Sequence, residues 1–182
     1  MRIIAGEKRG LLLQTPQDMS IRPTYDRVRE AVFGRLQFDI RDACVLDLFA
    51  GTGALGIEAL SRGARSAVFV DQSPAAIKII RSNLEKAKFS DRAQVIFQDA
   101  FSALRQLTGH TRFDVVFIDP PYRDMLYAQT LDTLHECAVL ADGATLVLES
   151  DEPTGLAHPA YCTVKTKKYG NTYITYLEYN HE

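Results

Sequence analysis

A doubly wound α/β fold on a mostly parallel, seven-stranded sheet is predicted by two features of this sequence. From Cys44 to Leu148, short unbroken apolar runs alternate with longer stretches of helical periodicity. Strands buried on both faces and joined by covering helices read this way. Between the first run and the first helical stretch lies Gly51-Thr52-Gly53-Ala54-Leu55-Gly56, a Gly-x-Gly-x-x-Gly turn of the kind such sheets use where a ligand meets the strand ends. At 182 residues, 46% hydrophobic and 24% charged, the chain has the size and composition of one soluble domain that needs no staples to fold.

The elements follow in order. Arg2–Ala5 and Leu11–Gln14 flank a polar segment holding Gly6 and Gly10, which predicts a small hairpin. Pro16 to Pro23 reads as a loop, with Thr24 placed to cap a helix whose apolar stripe is Val28, Val32, Phe33 and Leu36. Residues 1–41 thus form an N-terminal extension, and residues 42–182 the main domain. Within the latter, strands are expected at Val45–Phe49, Ala67–Val70, Val95–Phe97, Val115–Ile118 and Thr145–Leu148. Helices are expected near Ala54–Arg62, Pro74–Lys88, Ala100–Leu107 and Met125–Ala138. Tyr161–Lys168 and Tyr173–Tyr179 flank Gly170-Asn171 and read as an antiparallel hairpin that closes the sheet.

Several function classes drop out. No apolar run approaches the ~20 residues that span a bilayer, and Arg2, Glu7 and Lys8 come too early for a signal-peptide core; a cytoplasmic location is expected. Cys44, Cys137 and Cys162 lie far apart without Cys-x-x-Cys spacing, which excludes a disulfide framework and a zinc site and leaves buried thiols. His110, His135, His158 and His181 show no metal spacing, so no metal is expected. Net charge is −2, but residues 1–35 carry seven basic against four acidic residues, a local +3 against −5 elsewhere. A positive arm on an acidic body can track phosphates, although scattered surface charge gives the same count.

A nucleoside-containing ligand is expected at the carboxyl ends of the strands. Asp71 follows Gly51 by 20 residues at the next strand's end, where a carboxylate accepts ribose hydroxyls. Asp47, just ahead of the glycines, is badly placed beside a pyrophosphate but suits a ligand that carries an ammonium and a sulfonium. That favours S-adenosylmethionine over a dinucleotide. The ligand-contacting set is then Asp47, Phe49, Ala50, Gly51, Gly53, Asp71, Gln72, Asp99 and Ala100. Asp99 is placed to accept from an adenine amine, or simply to cap the helix behind it.

Asp119-Pro120-Pro121-Tyr122 ends the fourth strand. Prolines lock φ and lack a donor, so the turn points carbonyls outward. An exocyclic base amine is a poor nucleophile because its lone pair is delocalised into the ring. The Asp119 carboxylate and Pro120 carbonyl are placed to accept its two hydrogens, and Tyr122 to stack on the base. No Cys follows a Pro, as a cysteine-nucleophile base methyltransferase would require. A strand-ending turn with no chemistry is the plain alternative.

With that turn behind a glycine-rich loop, three further segments carry a specific likeness: Arg2-Ile3-Ile4-Ala5-Gly6, Arg22-Pro23-Thr24-Tyr25-Asp26-Arg27-Val28-Arg29-Glu30 and Lys168-Tyr169-Gly170-Asn171-Thr172. Together they resemble the bacterial small-subunit (16S) ribosomal RNA guanine-N2 methyltransferases of the RsmD type, nearly end to end. The resemblance implies a Rossmann-like class I methyltransferase fold, S-adenosyl-L-methionine as methyl donor, and a guanine N2 in small-subunit ribosomal RNA as acceptor. The RNA would sit in an assembled or assembling subunit. It implies RNA contact by Lys8, Arg9, Arg22, Thr24 and Arg27 and catalysis at Asp119–Tyr122; nothing in the sequence demands more than a monomer. Leu11-Leu12-Leu13 departs from the family, which often places another basic residue there. Three other functions stay open at this point: amino-methylation of adenine in DNA or RNA, a non-catalytic ribosome-assembly role, and a dinucleotide oxidoreductase.

Overall fold

A computed structural model describes residues 1–16, 26–121 and 123–180, the side chains of 123–125 excepted. Five strands alternate with helices and two more close the sheet: β1 Cys44–Leu48, β2 Ser66–Asp71, β3 Ala93–Phe97, β4 Phe113–Ile118, β5 Leu140–Ser150, β6 Tyr161–Tyr169 and β7 Thr172–Tyr179. The helices are α1 Asp26–Arg35, α2 Ala54–Ser61, α3 Pro74–Ala87, α4 Ala100–Leu107 and α5 Arg123–Glu136. Sheet order is β3-β2-β1-β4-β5-β7-β6. β1 to β5 pair in parallel, and β7 inserts antiparallel between β5 and β6. The strand order therefore switches sense between the parallel neighbours β1 and β4, and the carboxyl ends of those strands open a crevice.

β5 is longer than its apolar run because Leu140 already pairs with Phe113. Asp142-Gly143, with Gly143 at φ 73°, distorts that ladder and reads as a turn in sequence. The sheet buries two cores. One face packs β-strand residues such as Leu46, Val116 and Leu148 against Leu104, Leu131 and Leu134 of α4 and α5. The other packs Val45, Phe69, Phe117 and Tyr176 against α1, α2 and α3.

The N-terminal residues belong to that second core. Ile3, Leu13, Val28, Val32, Phe33, Leu36 and Ile40 all lie within it, with the Phe33 and Phe117 ring centroids 5.6 Å apart. The expected hairpin is reduced to one antiparallel bridge, Arg2 to Leu12, supported by Ile3 N–H to the Leu11 carbonyl and Gly10 N–H to the Ile3 carbonyl. Many of its other backbone groups bind α2 and α3. The Glu58 carboxylate accepts from Ile4 and Ala5 at 2.8 and 3.0 Å, and Asn83 both accepts from and donates to Gln14. Gly6 is required because a Cβ there would lie 1.8 Å from the Ser61 carbonyl oxygen.

Cys44 and Cys137 are buried as expected, but Cys162 is exposed on β6. An edge strand has nothing on its outer side to cover it. His135 and His158 join Tyr161 and Tyr179 in a ring cluster, with His158 Nε2 3.1 Å from Asp132 Oδ1. Among the described residues no group of His, Cys, Asp and Glu is arranged to hold a metal ion. No described helix is long and apolar enough to cross a membrane.

Candidate active site

One cavity of about 1100 Å³ opens at the carboxyl ends of β1, β2, β3 and β4. That is ample for a nucleoside ligand and a second planar group, since drug-sized sites run ~300–1,000 Å³. Asp47, Phe49, Ala50, Gly51, Asp71, Gln72, Asp99 and Ala100 line one side, and Asp119, Pro120 and Pro121 the other.

The glycine turn is a backbone device. Phe49, Gly51 and Gly53 all sit at left-handed φ, 66°, 57° and 75°; the non-glycine Phe49 there is the kind of strain found beside binding sites. Ala50 N–H is held by the Val70 carbonyl and Gly53 N–H by the Ala50 carbonyl. Gly53 does not line the cavity. It starts α2, and its Cβ would press on Ile80 at 3.2 Å. Gly56 is fixed by packing, since a Cβ would come 2.3 Å from Phe69 Cε1.

Six carboxylates line the cavity: Asp47, Asp71, Asp99, Asp119, Asp151 and Glu152. Asp47 is 3% exposed, and its Oδ2 accepts from Gly56 N–H at 2.9 Å. Burial pushes its pKa up to about 8, the Gly56 N–H opposes this, and the charges of Asp71 and Asp119 add to the rise. Asp71 accepts from Gly51 N–H at 2.8 Å with one oxygen and from Ser73 N–H at 2.8 Å with the other. It rigidifies the turn while lone pairs remain to meet a hydroxyl. Asp99 does cap α4, accepting from Ser102 N–H at 2.9 Å, and the Ser102 hydrogen bonds hold its carboxyl below the usual range. It borders the cavity as well, so both readings of Asp99 hold geometrically. Among so many acids a cation is the charge that fits.

Of the expected RNA contacts that lie among the described residues, Lys8, Arg9 and Arg27, none lines the cavity. Lys8 N–H donates to Ser61 Oγ at 3.0 Å, at the C-terminal end of α2, whereas the cavity meets the N-terminal end of that helix at Ala54 and Leu55. Two turns of helix separate the two by about 10 Å. Lys8 also pairs with Glu7 at 3.0 Å and lies over Phe89. Arg9 follows it on the same exposed turn, and Arg27 is exposed in the first turn of α1. Arg22, Thr24 and Tyr122 fall outside the described residues.

Sequence reasoning missed part of the lining: Phe101, Leu126, Tyr127 and the segment Ser150–Pro153. Tyr127 is 3% exposed and its hydroxyl donates to the Glu149 carbonyl, tying α5 to the end of β5. Its place in an ordinary helical stretch gave no signal. Ser150–Pro153 was findable in principle, because a loop after the fifth strand borders the same crevice.

The chain matches the family described as conserved hypothetical protein 95 over residues 1–178. Ribosomal RNA small subunit methyltransferase D of Escherichia coli (strain K12) is 42% identical over 156 residues, covering 86% of this chain and 77% of that one. The solved E. coli protein yhhF superposes with a TM-score of 0.89 at 34% identity, over 100% of this chain and 99% of its own. An RNA methyltransferase from Salinibacter ruber, solved with S-adenosyl-L-homocysteine, shares the fold at a TM-score of 0.71 and 19% identity, over 88% and 95% of the two chains. The fold is thus the Rossmann-like class I methyltransferase fold, and the chain belongs to the conserved hypothetical protein 95 family, that of the ribosomal RNA small subunit methyltransferases D.

Proposed function

We propose that this protein transfers a methyl group from S-adenosylmethionine to the exocyclic N2 amine of one guanine in small-subunit ribosomal RNA. It would act as a cytoplasmic monomer on an assembled or assembling subunit. One observation carries the reading: Asp119-Pro120-Pro121 and the acid-rimmed glycine turn face the same cavity. The donor set suits the methyl donor, because Asp47, Asp71 and Asp119 bias the cavity towards a cation and the turn at Gly51 lets a ligand approach the backbone. When bound, S-adenosylmethionine supplies an electrophilic methyl group on a sulfonium.

The chain's own residues do the rest. Asp47 gives the cationic end of the donor a buried counter-charge. Asp71 offers oxygens to ribose hydroxyls, and Asp99 one to an adenine amine. A guanine unstacked from the RNA, at a cost of a few kcal/mol, enters beside Pro120 and Pro121. The Asp119 carboxylate and Pro120 carbonyl accept the two amine hydrogens, turning the nitrogen lone pair towards the methyl group and leaving Asp119 to take the released proton. Positioning with proton acceptance contributes ~10²–10⁴-fold. Tyr122 is assigned to stack on the base, and Lys8, Arg9, Arg22, Thr24 and Arg27 to RNA contact.

The test is methyl transfer from labelled S-adenosylmethionine to small subunits from a strain that lacks this gene, with naked RNA and DNA in parallel. Label mapping to the N2 of a single guanine is expected. Label on DNA alone, or on adenine, overturns the substrate.

A further inference from the structure

We infer that the outer strand β6 is a docking rail for the phosphate backbone of the substrate RNA, leading to the cavity mouth. This rests on the proposed RNA methyltransferase reading. Tyr161–Tyr169 contains Lys165, Lys167 and Lys168 and no acidic residue, in a chain whose net charge is −2. Residues 162–168 are all exposed, and β6 pairs on one side only, with β7. None of the three lysines is in an ion pair with a described residue.

Placement links the strip to the site. β7 runs antiparallel to β5 and sets Tyr173 opposite Ser150, so the Gly170-Asn171 turn lies at the strand ends that open the cavity. Lys168, Asn171 and Tyr173 line a recess with Asp151, Glu152 and Pro153, and those last three also border the main cavity. Lys167 stands over the Tyr169 ring at 5.0 Å and Lys168 over Tyr173 at 5.1 Å. Each lysine is thereby held beside an aromatic face, the pairing of charge and stacking surface that single-stranded RNA meets in its binding proteins. Lys165 and Lys167 point to one face about 7 Å apart, so each can meet a different phosphate. The acids at Asp151 and Glu152 repel phosphate at the mouth itself, which restricts backbone contact to the strand.

A competing role is edge protection, since lysines on an exposed edge deter strand pairing between molecules. Glutamate protects an edge as well as lysine does but repels phosphate, so charge reversal separates the two. The triple variant Lys165→Glu, Lys167→Glu, Lys168→Glu is compared with wild type and with the triple Lys→Arg variant. Binding to unmethylated small subunits is measured across a salt series, alongside methyl-transfer kinetics and S-adenosylmethionine affinity. Expected for the glutamate variant are a KM for subunits raised at least tenfold, a log-affinity salt slope flattened by roughly 2–3, and kcat and donor affinity within twofold of wild type. The arginine variant should behave as wild type. Unchanged KM and salt slope in a monodisperse glutamate variant overturn the rail. Should wild type bind subunits yet methylate no RNA, the parent reading falls, while the salt slopes still decide the docking surface.

Discussion

Replacing Asp47 with Asn tests the electrostatics on which the site depends. The unfolded chain titrates this carboxyl near 3.8, whereas burial and neighbouring acids raise it to about 8 in the fold. Between those values the folded protein keeps a proton that the unfolded chain has released. The stability contributed by this group is complete below pH 3.8 and is lost as pH rises towards about 8, at about 1.4 kcal/mol per pH unit. From pH 5 to pH 7 the loss is roughly 3 kcal/mol, a large share of the ~5–15 kcal/mol that holds a domain together. Asn keeps an oxygen for the Gly56 N–H and does not titrate. Urea unfolding at pH 5, 6 and 7 should therefore show the variant gaining roughly 3 kcal/mol on wild type across the range. Parallel pH profiles would refute the reasoning. Donor binding should show the opposite sign, because a cation is held best by ionised Asp47. Wild-type affinity for S-adenosylmethionine should rise close to tenfold from pH 6 to pH 7, and the variant's should stay flat.

Other perturbations isolate single links. Asp119→Ala should lower kcat by ~10²–10⁴ with donor affinity within threefold by calorimetry; loss of both together contradicts the division of labour between the two sides of the cavity. Gly56→Ala drives a Cβ to 2.3 Å from Phe69 Cε1 and should cost about 1–3 kcal/mol in urea unfolding, with partial recovery in a Phe69→Leu background. Glu58→Ala strands the Ile4 and Ala5 N–H groups and the Arg62 guanidinium, bonded to Glu58 at 2.8, 3.0 and 2.7 Å. It should cost roughly 2–5 kcal/mol, and hydrogen exchange at Ile4 and Ala5 should accelerate ahead of the sheet.

The parallel sheet was legible because burial on both faces leaves a mark that no neighbour can erase: Val45, Leu46, Val115, Val116 and Phe117 are apolar on consecutive positions. Contacts chosen by tertiary packing left no such mark. Glu58 sits in Ala54–Ser61, an otherwise apolar helix, where sequence places it towards water. It is fully buried because two backbone donors from the N-terminal segment converge on it, beside Arg62 at the end of its own helix. The N-terminal segment reads as a self-paired hairpin since its alternation is right, yet it keeps only one bridge and shares its backbone groups with α2 and α3. The same docking carries Lys8 and Arg9 to the strand ends away from the cavity. Charge counting along a sequence has no access to that direction.

The glycines identify the turn but not its ligand, for each is accounted for without one. Gly51 and Gly53 serve left-handed backbone, and Gly56 serves contact with Phe69. In the proposed reading the carboxylates that line the cavity decide the ligand class. A pyrophosphate at this turn would face Asp47 and Asp71 and would drive Asp47 still further towards its protonated form. A cation does the reverse and restores the charge that burial suppresses. Burial of Asp47 thus costs stability near neutral pH and at the same time suppresses its charge, so in the proposed reading a positively charged donor is the ligand that restores that charge and is held more tightly as pH rises.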